Sequence, residues 1–150
     1  MRTHKETYNI NANKETIFNV IANIESYPTF LPWCIGARIT DTNQLSDILI
    51  QRAELVIAFK SFRESFFSDI QLNRKIWTIN IQSNKKPFKS LNGQWIIQEK
   101  DNHCEVSFEI KFEFKSIILE KIIGVVFFNA VKSIVKAFEK QCLKNENLIP

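Results

Sequence analysis

Histidine is the side chain that most often moves protons in enzymes, and this chain of 150 residues has two. His4 falls on a predicted first strand, and His103 falls in a predicted hairpin turn beside Asp101 and Asn102. We expect both at the surface rather than beside a nucleophile. No HExxH, GxSxG, P-loop or GxGxxG motif occurs, and three glycines leave little material for phosphate-binding loops. The sequence therefore predicts that the protein is not an enzyme.

Thiols and carboxylates give the same prediction. The three cysteines, Cys34, Cys104 and Cys142, form no CxxC motif and no Cys/His ligand spacing, so no metal site is expected. We interpret them as free thiols, buried or half-buried, in a reducing compartment. Three glutamates, Glu105, Glu109 and Glu113, fall on the polar face of a predicted strand, where a solvated surface is favoured over a paired-carboxylate site.

Positive charge is concentrated in residues 60–89, which hold seven basic and two acidic residues. Such a surface could meet anionic lipid or a phosphate backbone, or it could be an ordinary solvated lysine face. No RRM-type RNA-binding signature is present, and we expect no DNA partner. The candidate residues for an anionic partner are Arg74, Lys75, Lys85, Lys86 and Lys89.

The hydrophobic pattern predicts the elements that would position these residues. A strand is predicted at 3–10 and an amphipathic helix at 14–25, followed by a very short helix at 28–33. The period then changes to two, which predicts strands near 34–41, 45–57, 60–70, 74–82, 90–99 and 104–114. Turns are expected at 41–43, 73, 84–87 and 101–102. Residues from about 117 to 143 predict one long helix.

These elements predict a single α+β domain over residues 1–150, with a curved seven-stranded antiparallel sheet wrapped around the long helix. The first half of that helix is apolar on more sides than one buried stripe requires. Since one helix cannot fill the concavity of such a sheet, we expect a cavity lined by Phe and Trp residues.

The ends of the chain predict where the protein works. Residues 1–10 show no apolar core of a signal peptide and no amphipathic targeting stretch. The uncharged apolar stretch at 122–131 is half of the roughly 20 residues that span a bilayer. We expect a cytoplasmic bacterial protein, at most peripheral to the inner membrane.

Residues 27–34, with the sequence YPTFLPWC, form an apolar segment with two prolines. Such a segment at the rim of a cavity either packs into the core or forms a lid and membrane-contacting edge, since the amphipathic rings of Trp and Tyr suit an interface. It resembles the YPxFLPWC signature of the coenzyme Q-binding proteins. These belong to the START-like, polyketide-cyclase-type superfamily, which includes the RatA-type ribosome-association toxins.

Further matches support the resemblance along nearly the whole chain. Residues 86–91 (KPFKSL), with Gly93 and Trp95, resemble the family's GPFKxLxGxW segment, although Lys86 stands where the family often has Gly. Residues 112–116 (FEFKS) resemble its FEFxS, and residues 127–128 and 137–139 resemble its helix positions. The resemblance implies the helix-grip fold, no catalytic residues, and a polyprenyl quinone bound in the cavity by a carrier or chaperone of respiration.

The same resemblance leaves two other functions open. For RatA-type members it implies binding of the large ribosomal subunit and a block of subunit association. A small-molecule cyclase is a third possibility, since the superfamily includes such enzymes. No cofactor is expected to be required, and the polyprenyl quinone is the expected ligand.

We assign the cavity on this basis. The entrance is predicted at Phe30, Leu31, Pro32 and Trp33. The wall is predicted at Trp95, Phe108, Ile110, Phe112, Ile122, Val126 and Phe127.

Overall fold

The computed structural model covers residues 1–59 and 62–148, with side chains described for all of these except residues 62 and 125–128. The strands are β1 (Arg2–Ile10), β2 (Cys34–Leu45), β3 (Ile48–Phe59), β4 (Phe62–Asn73), β5 (Thr78–Ser83), β6 (Phe88–Glu99) and β7 (Cys104–Phe114). The helices are α1 (Lys14–Ala22), a 3₁₀ helix (Ile24–Thr29) and α2 (Ile117–Glu146).

The seven strands form one sheet in the order β1-β7-β6-β5-β4-β3-β2, and every neighbouring pair is antiparallel. Consecutive strands from β2 to β7 are neighbours in this order, as in an antiparallel meander. β1 closes the order by pairing with β7. The predicted α+β architecture is confirmed, with seven antiparallel strands, two short helices after the first strand and one long C-terminal helix.

The prediction of a turn at 41–43 is wrong, because these residues lie inside β2 and pair with β3. The chain turns at Ser46, whose φ is 57°. β2 is an edge strand that is exposed from residue 40 onward, so its polar composition reflects solvent rather than a turn. β5 begins later than predicted, since the Asn73 side chain accepts hydrogen bonds from the backbone N–H groups of Lys75 and Ile76 and holds a turn there.

The predicted helix at 14–25 is wrong at its end, and the predicted helix at 28–33 is misplaced. Asn23 leaves helical geometry at φ −84° and ψ 74°, which ends α1 at Ala22. A 3₁₀ helix then runs over Ile24–Thr29 with Pro28 inside it. It ends where the N–H groups of Phe30 and Leu31 both reach the carbonyl oxygen of Tyr27.

The largest buried cluster, the main core, joins α1, the 3₁₀ helix, the second half of α2 and the adjacent sheet face. Ile17 and Phe18 of α1 are 0% exposed, and Val135 and Phe138 of α2 are 5% and 4% exposed. Trp95 lies at its centre, with ring centroids 4.3 Å from Phe108 and 5.1 Å from Phe138. The main core lies toward the closed end, defined here by Ile10, Asn73 and Cys104, where α1 covers the sheet.

The other end of the sheet is open. The open end is defined by the residues that pair there: Arg2 with Phe112, Cys34 with Ile57, and Phe88 with Phe114. A second buried cluster lies here, formed by Phe66, Leu91 and Phe112 with Phe88 and Phe114 packed against it. We call it the aromatic cluster.

α2 is fastened at both ends by carboxylates. Ser116 caps its first turn by accepting a hydrogen bond from the Leu119 N–H at 3.3 Å. The Glu120 side chain accepts a hydrogen bond from the Arg2 side chain at 2.7 Å, which ties α2 to β1. At the other end, Glu146 accepts two hydrogen bonds from Asn13, both at 3.0 Å.

Gly124 leaves room for Arg2 to lie across α2. A Cβ at this position would overlap the Arg2 Nη2 atom. Alanine normally stabilises a helix interior by about 1 kcal/mol over glycine. In the Gly124→Ala variant we expect little of this gain, because the Arg2 guanidinium must move away from Glu120.

A double-mutant cycle, with unfolding free energies measured by urea denaturation, tests whether Arg2 limits the stability gained from Gly124→Ala. The Arg2→Ala background removes the side-chain atoms that lie nearest to the new methyl group, so Gly124→Ala should there add about 1 kcal/mol to the free energy of unfolding. Equal gains in both backgrounds would show that Arg2 does not constrain this position.

Candidate ligand-binding site

A cavity of about 220 Å³ lies between the sheet and α2 at the open end. Its lining residues are Trp33, Ile57, Phe59, Glu64, Phe66, Pro87, Phe88, Leu91, Ile110, Phe112, Phe114, Ile123, Ala130, Val131 and Ile134. Glu64 is the one charged residue among these described lining residues. The lining therefore favours an aliphatic or aromatic ligand, since it offers little to compensate the desolvation of a polar one.

Contacts between aromatic rings form the sheet side of the cavity. The Phe88 ring lies 5.0 Å from Phe66 in an edge contact and 5.1 Å from Phe114 in a stacked one. Trp33 and Phe59 form another pair in the lining, with ring centroids 4.7 Å apart. These distances are typical of favourable aromatic pairs, so the rings that line the cavity also stabilise one another.

A register shift in β6 brings Phe88 to the cavity. Strict alternation along a strand would place Phe88 and Leu91 on opposite faces, because they are three residues apart. The pairing of β6 with β7 shifts between Phe88 and Ser90, which is a β-bulge. Both side chains then reach the aromatic cluster while Lys89 stays exposed.

Three of the residues predicted for the ligand site line this cavity: Trp33, Ile110 and Phe112. Trp33 adopts φ 67°, and its carbonyl oxygen accepts a hydrogen bond from the Ala58 N–H at 2.8 Å. This backbone geometry is uncommon for a bulky residue, and it places the indole against Phe59 at the end of β3.

The structure places the other predicted residues elsewhere. Phe30 and Leu31 are half-buried against the main core, and the Phe30 ring lies 5.4 Å from Phe138. Pro32 is half-buried beside them in sequence, outside the described lining.

Trp95 and Phe108 are buried inside the main core. Ile122 is 48% exposed and points away from the lining, whereas its neighbour Ile123 takes part in it. The side chains of Val126 and Phe127 lie outside the described part of the structure.

Several lining residues were missed by sequence reasoning. Phe114 continues the alternation of Ile110 and Phe112, so the period of β7 was signal enough to find it. Phe88 depends on the bulge, which no periodicity shows. Ala130 and Ile134 lie one turn apart on α2, and only the packing of that helix shows which of its apolar sides meets the cavity.

The basic residues predicted as one surface are split by β5. Arg74 and Lys75 lie at the closed end, where Arg74 donates to Asn19 Oδ1 at 2.7 Å and Lys75 lies 3.7 Å from Asp47. The exposed Lys85, Lys86 and Lys89 lie at the open end. The strand between the two groups spans about 20 Å at 3.3 Å per residue.

Neither histidine is among the residues that line the cavity. His4 is 9% exposed and lies 3.1 Å from Glu6, so its expected surface position is wrong. It lies on the same face of β1 as the buried Ile10, because the two residues are an even number of positions apart. His103 lies in the predicted hairpin turn, with Nδ1 2.9 Å from Asn102 Oδ1. Within residues 1–59 and 62–148, no group of three His, Cys, Asp or Glu side chains is arranged to hold a metal ion.

The three thiols are free and buried, as predicted. Burial raises the pKa of the Cys142 thiol to about 12, and the nearby Glu139 and Glu146 carboxylates add to this shift. Burial also raises the pKa of Cys34 and of Cys104. These thiols therefore stay protonated near neutral pH and make weak nucleophiles.

No helix within the described residues is long and apolar enough to cross a membrane.

Solved structures share this fold along nearly the full chain. An 18 kDa protein from Caulobacter crescentus superposes with a TM-score of 0.81 at 24% identity, covering 98% of this chain and 99% of that one. A START superfamily protein from Mycobacterium smegmatis gives 0.78 at 15% identity, covering 95% and 97%. An aromatase/cyclase from Streptomyces sp. R1128 gives 0.81 at 12% identity, covering 95% and 94%. The fold is therefore the START-like helix-grip that the sequence motifs indicated.

The model of the family described as "Polyketide cyclase / dehydrase and lipid transport" matches residues 10–139, and the chain belongs to that family. The ribosome association toxin RatA of Rickettsia prowazekii is 34% identical over 128 residues, which cover 83% of this chain and 85% of that protein. The mitochondrial coenzyme Q-binding protein COQ10 homolog B of Xenopus laevis is 28% identical over 131 residues, covering 85% of this chain and 52% of that protein. The predicted resemblance to the coenzyme Q-binding proteins and to the RatA-type toxins is confirmed.

The buried thiols predict a loss of stability in mild alkali. The folded chain keeps the Cys142 proton up to about pH 12, whereas an unfolded thiol releases its proton above about pH 8.5. The unfolded state is then favoured as pH rises, by up to about 1.4 kcal/mol per pH unit for one thiol. Urea denaturation between pH 8.5 and 10 should show this slope, and the Cys142→Ala variant should show a shallower one. Identical slopes would contradict the assignment.

Proposed function

We propose that this protein binds a polyprenyl quinone in the cavity at the open end and acts as a non-enzymatic carrier or chaperone. The observation that carries the proposal is the lining: aromatic and aliphatic side chains around about 220 Å³, with Glu64 the one charged residue among those described. A relative named for coenzyme Q binding supports this class of ligand.

The size of the cavity indicates how such a ligand would sit. Sites that enclose a drug-sized molecule usually measure about 300–1,000 Å³. A cavity of about 220 Å³ is smaller, so it holds part of a long-chain lipid while the rest leaves through the open end. Each buried CH₂ group contributes about 0.8 kcal/mol, so a few isoprene units give useful affinity without specific polar contacts.

The direct test is mass spectrometry of an organic extract from protein purified out of a quinone-producing host. A near-stoichiometric polyprenyl quinone is expected. An extract without quinone from a host whose membranes contain it would contradict the proposal.

Filling the cavity supplies a second test of the same site. Ala130 is half-buried on the cavity lining, so the ring of an Ala130→Phe variant would occupy space that the ligand needs. We expect at least a severalfold fall in bound quinone with a melting temperature close to that of the wild type. Ser133→Phe is the matched control, because it adds the same ring to an exposed position three residues further along α2. Equal occupancy in the two variants would place the ligand elsewhere.

A second candidate function is inhibition of ribosomal subunit association by binding the large subunit. It is favoured by the relative of 34% identity that is named a ribosome association toxin. The exposed Lys85, Lys86 and Lys89 at the open end supply cations for a phosphate backbone.

This candidate predicts binding that weakens steeply with salt, because each phosphate contact releases a counterion. Co-sedimentation with large subunits should be lost when Lys85, Lys86 and Lys89 are all changed to Glu, while quinone occupancy is retained. The matched control changes Lys136, Lys140 and Lys144 to Glu, since these lie exposed on the second half of α2. Equal loss in both triple variants would indicate an effect of net charge and would count against a specific site.

A further inference from the structure

The start of α2 exposes apolar side chains that nothing within the described residues covers. Ile117, Ile118 and Ile122 are 76%, 72% and 48% exposed. Ile118 and Ile122 lie one turn apart, so they form a stripe along the same side of the helix. Clustered exposed apolar side chains of this kind usually mark an interaction surface.

Lysines surround this stripe. Lys121 follows Ile117 by one helical turn, and Lys115 precedes the helix, with both lysines exposed. The Lys115 N–H donates to the carbonyl oxygen of Pro87 at 3.0 Å, which brings the turn carrying Lys85 and Lys86 beside the start of α2.

These cations are available to a partner. None of Lys85, Lys86, Lys115 and Lys121 takes part in an ion pair among the described residues. The carboxylate on this turn of α2, Glu120, is engaged by Arg2 at 2.7 Å.

The stripe adjoins the cavity. Ile123, which follows Ile122, lines the cavity, and so does Phe114, which precedes Lys115. A surface that covers the isoleucines would therefore lie against the end of the cavity formed by Phe114 and the start of α2.

We propose that these residues (Ile117, Ile118 and Ile122 with Lys85, Lys86, Lys115 and Lys121) dock the protein on an anionic phospholipid bilayer. The isoleucines enter the boundary between headgroups and acyl chains, and the lysines meet the lipid phosphates. This docking depends on the proposed function in one respect. Its purpose is quinone exchange, since a bilayer is the source from which a quinone would enter the cavity.

Charge complementarity selects this occupant over two others. A second copy of the chain, related by a two-fold axis, would bring the same lysines against one another. An RNA backbone would engage the lysines and leave the isoleucines exposed to water. An anionic bilayer satisfies both groups at once.

The test is flotation of the purified protein with vesicles of phosphatidylcholine that contain about 30% phosphatidylglycerol, which supplies the anionic surface that the lysines require. Vesicles of phosphatidylcholine alone are the comparison. Binding to the anionic vesicles is expected, with little binding to the neutral ones. Equal binding to both, or binding to neither, would overturn the proposal.

Two double variants separate the apolar and the charged contributions. Ile118→Ser with Ile122→Ser, and Lys115→Gln with Lys121→Gln, should each weaken partitioning to anionic vesicles by about tenfold or more. Ile76→Ser is the matched control, because Ile76 is 61% exposed next to Lys75 at the closed end. All these positions are exposed, and unchanged melting temperatures would confirm that the variants fold. Partitioning that falls equally in the control would overturn the assignment to α2.

The outcome is separable from that of the proposed function. Quinone found in the extract together with no vesicle binding would overturn the docking and leave the ligand proposal standing. Vesicle binding by a protein without quinone would support the docking and remove its stated purpose. A dimer in solution that the Ile118/Ile122 variant dissociates would assign the stripe to a second copy and overturn the proposal.

Discussion

One helix has to cover a sheet that is far wider than itself. Seven strands at about 4.8 Å spacing are about 29 Å across, whereas a helix with its side chains is about 10–12 Å wide. At the closed end α1 also covers the sheet, the 3₁₀ helix packs against β2, and the main core is continuous. At the open end the described residues supply no second helix, so the sheet and α2 diverge around the cavity. The position of the cavity follows from this difference between the two ends.

The two halves of α2 therefore differ in what they pack against. Its second half buries Val135, Phe138 and Cys142 in the main core and anchors the helix. Its first half forms one side of the cavity while showing isoleucines to solvent, so the tie between Glu120 and Arg2 holds a segment that has less packing of its own. Because the second half of α2 is anchored in the main core, its first half can keep an apolar surface accessible beside the cavity.

Relatives of this chain are named for two unlike partners, coenzyme Q and the ribosome. The interior of the open end is apolar, and its rim carries exposed lysines. Added salt does not weaken the burial of apolar area, whereas it strongly weakens contacts with phosphates. Binding to the apolar interior and binding to the lysines would therefore respond differently to salt, although the two sets of residues are neighbours.

Periodicity in the sequence determined the elements: alternation along β7 placed Ile110 and Phe112 on the inner face, and the apolar surplus of α2 indicated a cavity. These are local properties, since the side chains of a strand or helix repeat with a fixed period whatever surrounds them. The tertiary structure decided the rest. A bulge turned Phe88 inward, β5 separated Arg74 from Lys85, and packing assigned Trp95 and Phe108 to the core instead of the cavity. Register, distance across the sheet and the width of a gap depend on how distant segments meet, and no local pattern contains that information.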